Sequence, residues 1–388
     1  MNSKSRSRGR FGAYTLVELL VVIAIIGILV SLTFTGVGGA LATMRRSQCS
    51  ENLRQLAIAT INYEIGKDEL PGYCQKFGEF AGGADPSDIG NYSGNVPPHI
   101  KIGSWQVAIL SKLDNQPIYE HWTSDRYPLI SDGQGERRAT TEGYSLVAAP
   151  NLNVFQCPSA SNTLSTHGIN HYVANTGMHV EEFPFSYVRP GQSARTVSFA
   201  RSMDQSNGAF NNKYAGFHPG DTSQLVPTGK QTRTSDFKDG RGNTMLLSEN
   251  HQAMPWHLTR LTGNPNHLTT IQTVGTQRVV AYPAESRFLQ GAVWHFEDDQ
   301  QFAGANPVAT IHKINGGDVF NTLPTLANLP DLARPSSLHQ GGVNMAMASG
   351  SVQYVSESID YRTYQALLTP NGRSSDVPAN EFIPTSAL

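Results

Sequence analysis

A mostly apolar segment, GAYTLVELLVVIAIIGIL, runs from Gly12 to Leu29. Uncharged residues continue beyond it, so that Leu19 to Met44 form a run of 26 residues without a charged side chain. About 20 helical residues cross the hydrocarbon core of a bilayer. Glu18 is the single ionisable side chain in the apolar part of the stretch. The sequence therefore predicts a transmembrane helix with one carboxylate near its start.

The charges ahead of this helix predict its orientation. Four basic residues and no acidic residue precede Glu18, namely Lys4, Arg6, Arg8 and Arg10. Because basic flanks stay in the cytoplasm, we expect a single pass through the inner (cytoplasmic) membrane. The N-terminus then lies in the cytoplasm, and the chain after about residue 45 lies in the periplasm or at the cell surface.

Two general interpretations of this segment stay open. Ala40-Leu41-Ala42 offers the small residues of a signal-peptide cleavage site, although the apolar stretch is long for a signal peptide. Alternatively, the segment is a plain membrane anchor and Glu18 has no special role.

Residues 12–29 also closely resemble the prepilin leader of type IV pilins and of type II secretion pseudopilins. The resemblance implies that a leader, residues 1–13, is removed by a prepilin peptidase/methyltransferase, which methylates the new N-terminus. It also implies that a carboxylate at the fifth mature position serves subunit assembly and pairs with a neighbouring pilin-like subunit. Glu18 is the residue that matches.

The expected cleavage site departs from the pattern of that family. The family has Gly before the cut and an aromatic residue after it, whereas Ala13 stands here between Gly12 and Tyr14. We expect cleavage after Ala13, because this cut keeps Tyr14 first and Glu18 fifth. Cleavage after Gly12 is the alternative.

The helix is predicted to continue past the membrane, from about Tyr14 to Ile65, and to stop near Gly66. Its apolar stripe recurs at intervals of three and four residues: Cys49, Leu53, Leu56, Ala57, Thr60, Ile61 and Ile65. The segment 14–70 then carries one extracytoplasmic α+β domain with antiparallel sheet, residues 71–370. From Asn371 to residue 388 we expect a weakly ordered tail.

Several local elements are predicted within the domain. Trp105 begins a short helix with Ser104 as its N-cap, and residues 153–158 form a strand ended by a proline. Thr244–Ser248 form a second strand. A hairpin follows at residues 343–356, and a helix starts after Asp360.

A second resemblance covers most of the chain. Its landmarks include Arg45 to Leu56, Leu70-Pro71-Gly72, Phe155 to Ser159, Asp239-Gly240, and His339 followed by Gly341-Gly342. They resemble a bacterial pilin-like family of unknown function that follows a prepilin leader and ends in a His-x9-Asp-Gly motif, here with Ser349-Gly350 in place of Asp-Gly. The resemblance implies no established enzymatic activity, and the family is sometimes linked by name to solute binding.

The three cysteines lie where disulfides can form. Cys49 faces the domain on the apolar stripe and Cys157 ends an apolar segment, so this pair is the disulfide candidate, with Cys74 unpaired. Three free thiols are the alternative. The spacings match no zinc pattern, and neither a metal site nor a cofactor is expected.

The end of the domain offers a non-catalytic role for His339. A two-residue turn at Ser349-Gly350 places Met347 opposite Val352, and the same register places His339 opposite Asp360. We therefore predict that His339 and Asp360 form a structural clamp at the base of the hairpin, with Asp360 also capping the following helix. Alternatively, Asp360 is only an N-cap and His339 is a loop residue.

Other chemistry finds little support in the sequence. No hydrolase elbow or phosphate-binding loop is present, and a net charge of -2 gives no reason to expect a nucleic-acid partner. We interpret the segment with His167 and His171 as a polar loop. We interpret the segment with Glu249 and His251 as the end of a strand. Four tryptophans favour core packing over a sugar-binding platform.

The sequence thus predicts a membrane-anchored, pseudopilin-like structural protein. We expect it to be processed by prepilin peptidase and assembled with other pilin-like subunits and membrane lipid, into or onto a secretion or pilus-like filament. It is expected to be a substrate and not an enzyme. The alternative is a surface-tethered module that binds a carbohydrate or another solute.

Overall fold

A computed structural model describes most of the chain. The described residues are 14–87, 95–131, 139–140, 142–160, 165–180, 185–189, 192–218, 221–261, 266–274, 277–280, 283–300, 302, 304–319 and 321–379.

One helix of 52 residues, α1, runs from Leu16 to Lys67. Thr15 is its N-cap, and Asp68 ends it in the left-handed conformation, with a φ of 59°. The predicted stripe is buried from Cys49 to Thr60, but Ile65 is exposed, so the expected apolar face is one turn too long.

In the first half of α1, the side chains of residues 16–31 are mostly apolar and exposed. Its large side chains include Leu16, which is 79 % exposed, and Ile28, which is 61 % exposed. Within the part of the chain that the structure describes, no helix has both the length and the apolarity needed to cross a membrane.

The domain beyond α1 contains seven further helices and thirteen strands among the described residues. The helices are α2 (Trp105–Ile109), α3 (Gln116–Thr123), α4 (Phe199–Ser202), α5 (Asn266–Thr269), α6 (Pro283–Leu289), α7 (Leu329–Leu332) and α8 (Tyr361–Leu368). The strands are β1 (Gln75–Phe80), β2 (His99–Gly103), β3 (Tyr172–Met178), β4 (Phe185–Tyr187), β5 (Arg195–Val197), β6 (Phe217–His218), β7 (Asp221–Leu225), β8 (Met245–Glu249), β9 (Gln272–Val274), β10 (Gln277–Val279), β11 (Gly291–Trp294), β12 (Gly342–Met347) and β13 (Val352–Ser356).

The largest sheet has five strands in the order β11-β3-β8-β12-β13. Only β11 and β3 are parallel, and the other pairs are antiparallel. Together with α1, this sheet makes the fold α+β, as predicted.

The sheet is covered on both faces. Tyr172 and Ala174 of β3 share a core with Leu53 and Leu56 of α1. Val173, between them, belongs to a second core that includes α8. Because successive strand residues point to opposite faces, α1 and α8 lie on opposite sides of the sheet. Burial on both faces also explains why β8 and β12 are fully buried strands.

The register of the β12-β13 hairpin differs from the predicted one by one residue. Met345 pairs with Gln353 and Ala346 with Val352, so the paired numbers sum to 698. The loop has three residues, Ala348 to Gly350, because the Met347 amide donates to the Ser351 carbonyl at 2.8 Å. Gly350 takes a φ of 85°, as a three-residue loop with a terminal left-handed glycine requires. The two-residue turn predicted at Ser349-Gly350 is therefore wrong.

Two other predictions need correction. Residues 153–155 form a 3-10 turn and not a strand, since Asn52 of α1 donates to the carbonyls of Asn153 and Gln156 and so holds the segment against the helix. Ser104 occupies the N-cap position of α2, but its hydroxyl donates to the Trp256 carbonyl at 2.9 Å and makes no cap bond.

The first part of the predicted tail is built into the fold. Asp376 is fully buried and accepts hydrogen bonds from Tyr187 Oη at 2.8 Å and Asn207 Nδ2 at 2.7 Å. Arg201 Nε also donates to it, at 2.9 Å. The expected weak order is therefore wrong for residues 371–379, while residues 380–388 lie outside the described residues.

The four tryptophans are all fully buried: Trp105, Trp122, Trp256 and Trp294. Their indole N–H groups donate to backbone carbonyls of Gln290, Ala148, Pro150 and Asn207. They serve the core, as favoured from the sequence, and none of them lies on a sugar-binding surface.

Candidate functional site

The start of α1 is organised by Glu18. Its carboxylate accepts hydrogen bonds from the backbone N–H of Thr15 at 2.8 Å and from the Thr15 hydroxyl at 2.9 Å. In return, the Glu18 amide donates to Thr15 Oγ1 at 3.3 Å. This reciprocal pattern is a capping box, in which each side chain satisfies an amide of the first helical turn.

The capping role of Thr15 was missed in the sequence interpretation, although the spacing Thr15-x-x-Glu18 is its signal. The expected processing site lies where the described residues begin. Tyr14 is 87 % exposed, whereas Gly12 and Ala13 lie outside the described residues.

The expected cysteine pair is the one that the structure joins. Cys49 and Cys157 form a disulfide with Cα atoms 4.9 Å apart, and Cys74 is free and buried. Burial raises the pKa of the Cys74 thiol to about 12, so it stays protonated. The disulfide joins the buried stripe of α1 to the segment before β3 through one covalent link.

A buried polar cluster lies beside the disulfide. Glu249, at the end of β8, is 1 % exposed, and its Oε1 lies 3.1 Å from Nε2 of His339. Asn344 of β12 donates to the same carboxylate twice, from its backbone N at 2.8 Å and from Nδ2 at 2.9 Å. Cys157 Sγ lies 3.8 Å from His339 Nε2 and 4.0 Å from Glu249 Oε1.

Tyr172 closes the cluster on the side of the helix. Its hydroxyl donates to the Cys49 carbonyl at 3.2 Å. Burial, together with the negative charge of Glu249, holds the pKa of Tyr172 well above its ordinary value. Tyr172 is therefore a neutral donor that ties β3 to α1.

The predicted clamp between His339 and Asp360 is wrong. The observed register places His339 opposite residue 359, and its imidazole turns to Glu249 instead. Asp360 is the N-cap of α8 and accepts from the Arg362 amide at 2.9 Å, as expected for that part of the prediction. The one-residue error in the predicted register persists beyond the strand ends, where it is enough to replace Asp360 as the residue opposite His339.

Glu249 and Asn344 were not selected as partners of His339 from the sequence. The signal that points to Glu249 is an acidic residue two positions after the apolar run Met245-Leu246-Leu247, at the end of the predicted strand. Because β8 is antiparallel to β12, the end of β8 lies beside the start of β12, where His339 enters. The segment with His167 and His171 is a loop, as predicted, and His171 Nδ1 accepts from the Cys157 amide at 3.1 Å.

A second buried cluster contains two stacked histidines. The rings of His295 and His312 are 3.5 Å apart and nearly parallel. His312 donates from Nδ1 to Glu297 at 2.9 Å and from Nε2 to Asp331 at 3.1 Å. Burial opposes protonation, but these two carboxylates outweigh it and raise the pKa of His312. Burial and the neighbouring histidines lower the pKa of His295, so the pKa values of the two stacked rings shift in opposite directions.

Comparison with known protein families identifies both parts of the chain. The profile of the prokaryotic N-terminal methylation motif matches residues 8–34. A family profile described as a protein of unknown function (DUF1559) matches residues 40–362, which is most of the chain. The chain belongs to the DUF1559 family.

Within this DUF1559 protein, the methylation motif includes Glu18 and the expected cleavage site. It marks a type IV pilin-like protein, which implies processing by a prepilin peptidase and assembly with other pilin subunits. The buried cluster at Cys157, Glu249 and His339 lies in the DUF1559 region. Searches of curated proteins and of solved structures found no match.

Proposed function

We propose that this DUF1559 protein is a structural, pseudopilin-like subunit that is anchored in the inner membrane by the first half of α1 and assembles into or onto a secretion or pilus-like filament. The observation that carries the proposal is the division of one continuous helix. Its first half exposes apolar side chains, and one face of its second half, from Cys49 to Tyr63, is buried in the domain. A helix of this kind needs another apolar environment for its first half.

Glu18 supports assembly with a second subunit. A carboxylate at the start of an apolar helix is costly in lipid unless it has a partner. In the isolated chain its partner is Thr15, one turn away in the same helix. A neighbouring subunit's N-terminal ammonium, which cleavage would create, supplies a stronger, charged partner.

The domain supports a structural role and not an enzymatic one. Two acidic groups buried in the domain hold elements together: Glu249 joins β8 to β12, and Asp376 joins the chain end to β4. The proposed topology places this domain outside the cytoplasm, where the Cys49–Cys157 disulfide is stable.

The experiment is chemical crosslinking of the full chain in membranes of the producing cells. Glu18→Ala removes the carboxylate, and we expect it to abolish crosslinked multimers while leaving the amount of processed protein unchanged. Glu51→Ala is the matched control, since Glu51 is an exposed acid on the same helix and pairs only with local partners, Arg54 and Gln55. Equal multimer yields from both variants would contradict the assembly role of Glu18.

A further inference from the structure

The buried cluster beside the disulfide has the composition of a metal site. Four elements meet there: α1 brings Cys49, the segment before β3 brings Cys157, β8 brings Glu249, and the segment before β12 brings His339. One ligand atom from each residue lies within 4.8 Å of the others, and all four residues are buried. Two thiolates, an imidazole and a carboxylate are a donor set that binds Zn²⁺ tetrahedrally.

The distances between the donors fit this coordination. With metal–ligand bonds of about 2.0–2.3 Å, donors at adjacent tetrahedral corners lie about 3.3–3.8 Å apart. The His339 Nε2–Glu249 Oε1 distance is 3.1 Å, and Cys157 Sγ lies 3.8 Å and 4.0 Å from these two atoms. Three of the four donors are therefore near their places before any metal enters.

Asn344 supplies the outer support that such a site needs. It holds the Glu249 carboxylate with its backbone N–H and with Nδ2. Groups that hydrogen-bond a ligating carboxylate fix its orientation and strengthen metal binding. Glu249 can therefore turn one lone pair of Oε1 to a metal while both bonds from Asn344 remain.

We propose that the dithiol form of this chain binds one thiophilic divalent metal ion of the zinc class through the Cys49 and Cys157 thiolates, His339 Nε2 and Glu249 Oε1. The disulfide form lacks the thiolates and does not bind the ion there. The dithiol form is the chain before oxidation, or the chain after exchange with a dithiol reductant. That reductant gives two electrons and two protons, and it becomes a disulfide itself.

Metal binding then displaces protons in a defined way. The two cysteine thiols each lose a proton as their sulfurs bond to the metal, so two protons are released for each ion. His339 binds through Nε2 as the neutral ring: the proton that Nε2 donates to Glu249 in the metal-free chain leaves to solvent while Nδ1 takes one up, so the ring itself releases no net proton. Its hydrogen bond to Glu249 is replaced by the two bonds to the metal.

The test uses Co²⁺, whose tetrahedral thiolate complexes are coloured, and the full chain in detergent with Cys74→Ala, so that only Cys49 and Cys157 can supply thiols. The protein is refolded with a phosphine, which reduces the disulfide and takes up oxygen from water as its oxide. We expect one Co²⁺ per reduced chain, a thiolate-to-cobalt absorption, and displacement of the colour by Zn²⁺. The disulfide form should remain colourless.

Two variants distinguish metal binding by all four residues from metal binding by the two cysteine thiolates alone. His339→Gln and Glu249→Gln should each weaken Co²⁺ binding by at least about tenfold and change the cobalt spectrum. His121→Gln is the control, because His121 is a buried histidine of α3 outside the cluster. Unchanged affinity and spectrum in both cluster variants would overturn the site.

X-ray absorption of the zinc-loaded, reduced wild type tests the ligand set without any substitution in the cluster. Two sulfur and two nitrogen or oxygen ligands support the proposal. A zinc ion with no sulfur ligand, or the absence of any bound metal after reduction, overturns the proposal.

Discussion

Cys49 on α1 is joined by a disulfide to Cys157, 108 residues later, with Cα atoms 4.9 Å apart. Because it closes a long loop, this bond restricts the unfolded chain more than a local bridge would. We expect Cys49→Ser with Cys157→Ser to lower the free energy of unfolding by about 4 kcal/mol, measured by urea denaturation of the full chain in detergent.

Cys74→Ala is the matched control for this substitution, since it removes a buried thiol but no crosslink. The decrease in the free energy of unfolding should be distinctly smaller for Cys74→Ala than for the double serine variant. If the double serine variant unfolds at the same urea concentration as the wild type, the disulfide does not stabilise the domain.

Gly350 gives a second prediction about stability. Its φ of 85° is strained for any residue with a Cβ, while an added Cβ would meet only Ile61 at an ordinary 3.6 Å. We therefore expect Gly350→Ala to lower the free energy of unfolding by about 1–2 kcal/mol through the backbone alone. Asn tolerates this conformation, so Gly350→Asn should cost less.

Gly242→Ala is the control for that loop, because no atom lies within 4 Å of its added Cβ and its φ is not in the left-handed region. Its effect should be within about 0.5 kcal/mol. Equal decreases in the free energy of unfolding for Gly350→Ala and Gly242→Ala would show that the hairpin loop does not require a left-handed residue.

His312 predicts a dependence of stability on pH. Its pKa is raised in the folded chain, since the bonds to Glu297 and Asp331 outweigh the opposing effect of burial. The stabilisation is fully present below the unfolded pKa of about 6.5 and is lost as the pH rises through the folded pKa. The stability difference between wild type and His312→Gln should therefore shrink from pH 6 to pH 9. A difference that grows with pH would contradict the raised pKa of His312.

The contribution of His99 to stability should change with pH in the opposite direction to that of His312. Burial lowers the pKa of His99 to about 4, and its Nε2 accepts from the Leu129 amide at 3.0 Å. Its contribution is present above the unfolded pKa of about 6.5 and is lost as the pH falls towards 4. In thermal unfolding, His99→Gln should differ most from wild type near pH 7 and least near pH 4. The opposite trend would show that His99 is charged in the folded chain.

The parts of the fold that follow from local pattern were predictable. The apolar stripe on α1 places Cys49 and Leu53 toward the domain, and Asp360 caps α8, because helix periodicity and capping depend on residues within a turn or two. The strand at β8 follows in the same way from its short apolar run.

The parts that depend on distant contacts were not predictable. Residues 153–155 have the composition of a strand, yet Asn52, about a hundred residues away, satisfies the carbonyls that a sheet would otherwise use. In the hairpin, one extra loop residue shifted every pair and separated His339 from Asp360. The partner of His339 is supplied by β8, and no local pattern around His339 specifies which strand lies beside it.

The N-terminal residue of the mature chain shows whether this protein is processed as a prepilin. Intact mass and N-terminal sequencing of the protein purified from membranes should give a chain that begins with N-methylated Tyr14, with Glu18 at the fifth position. A chain that begins at Ala13 would keep prepilin processing and move Glu18 to the sixth position. A chain that begins at Thr43, as an ordinary signal peptide would produce, or that retains Met1, would contradict the account of this protein as a processed, pilin-like subunit.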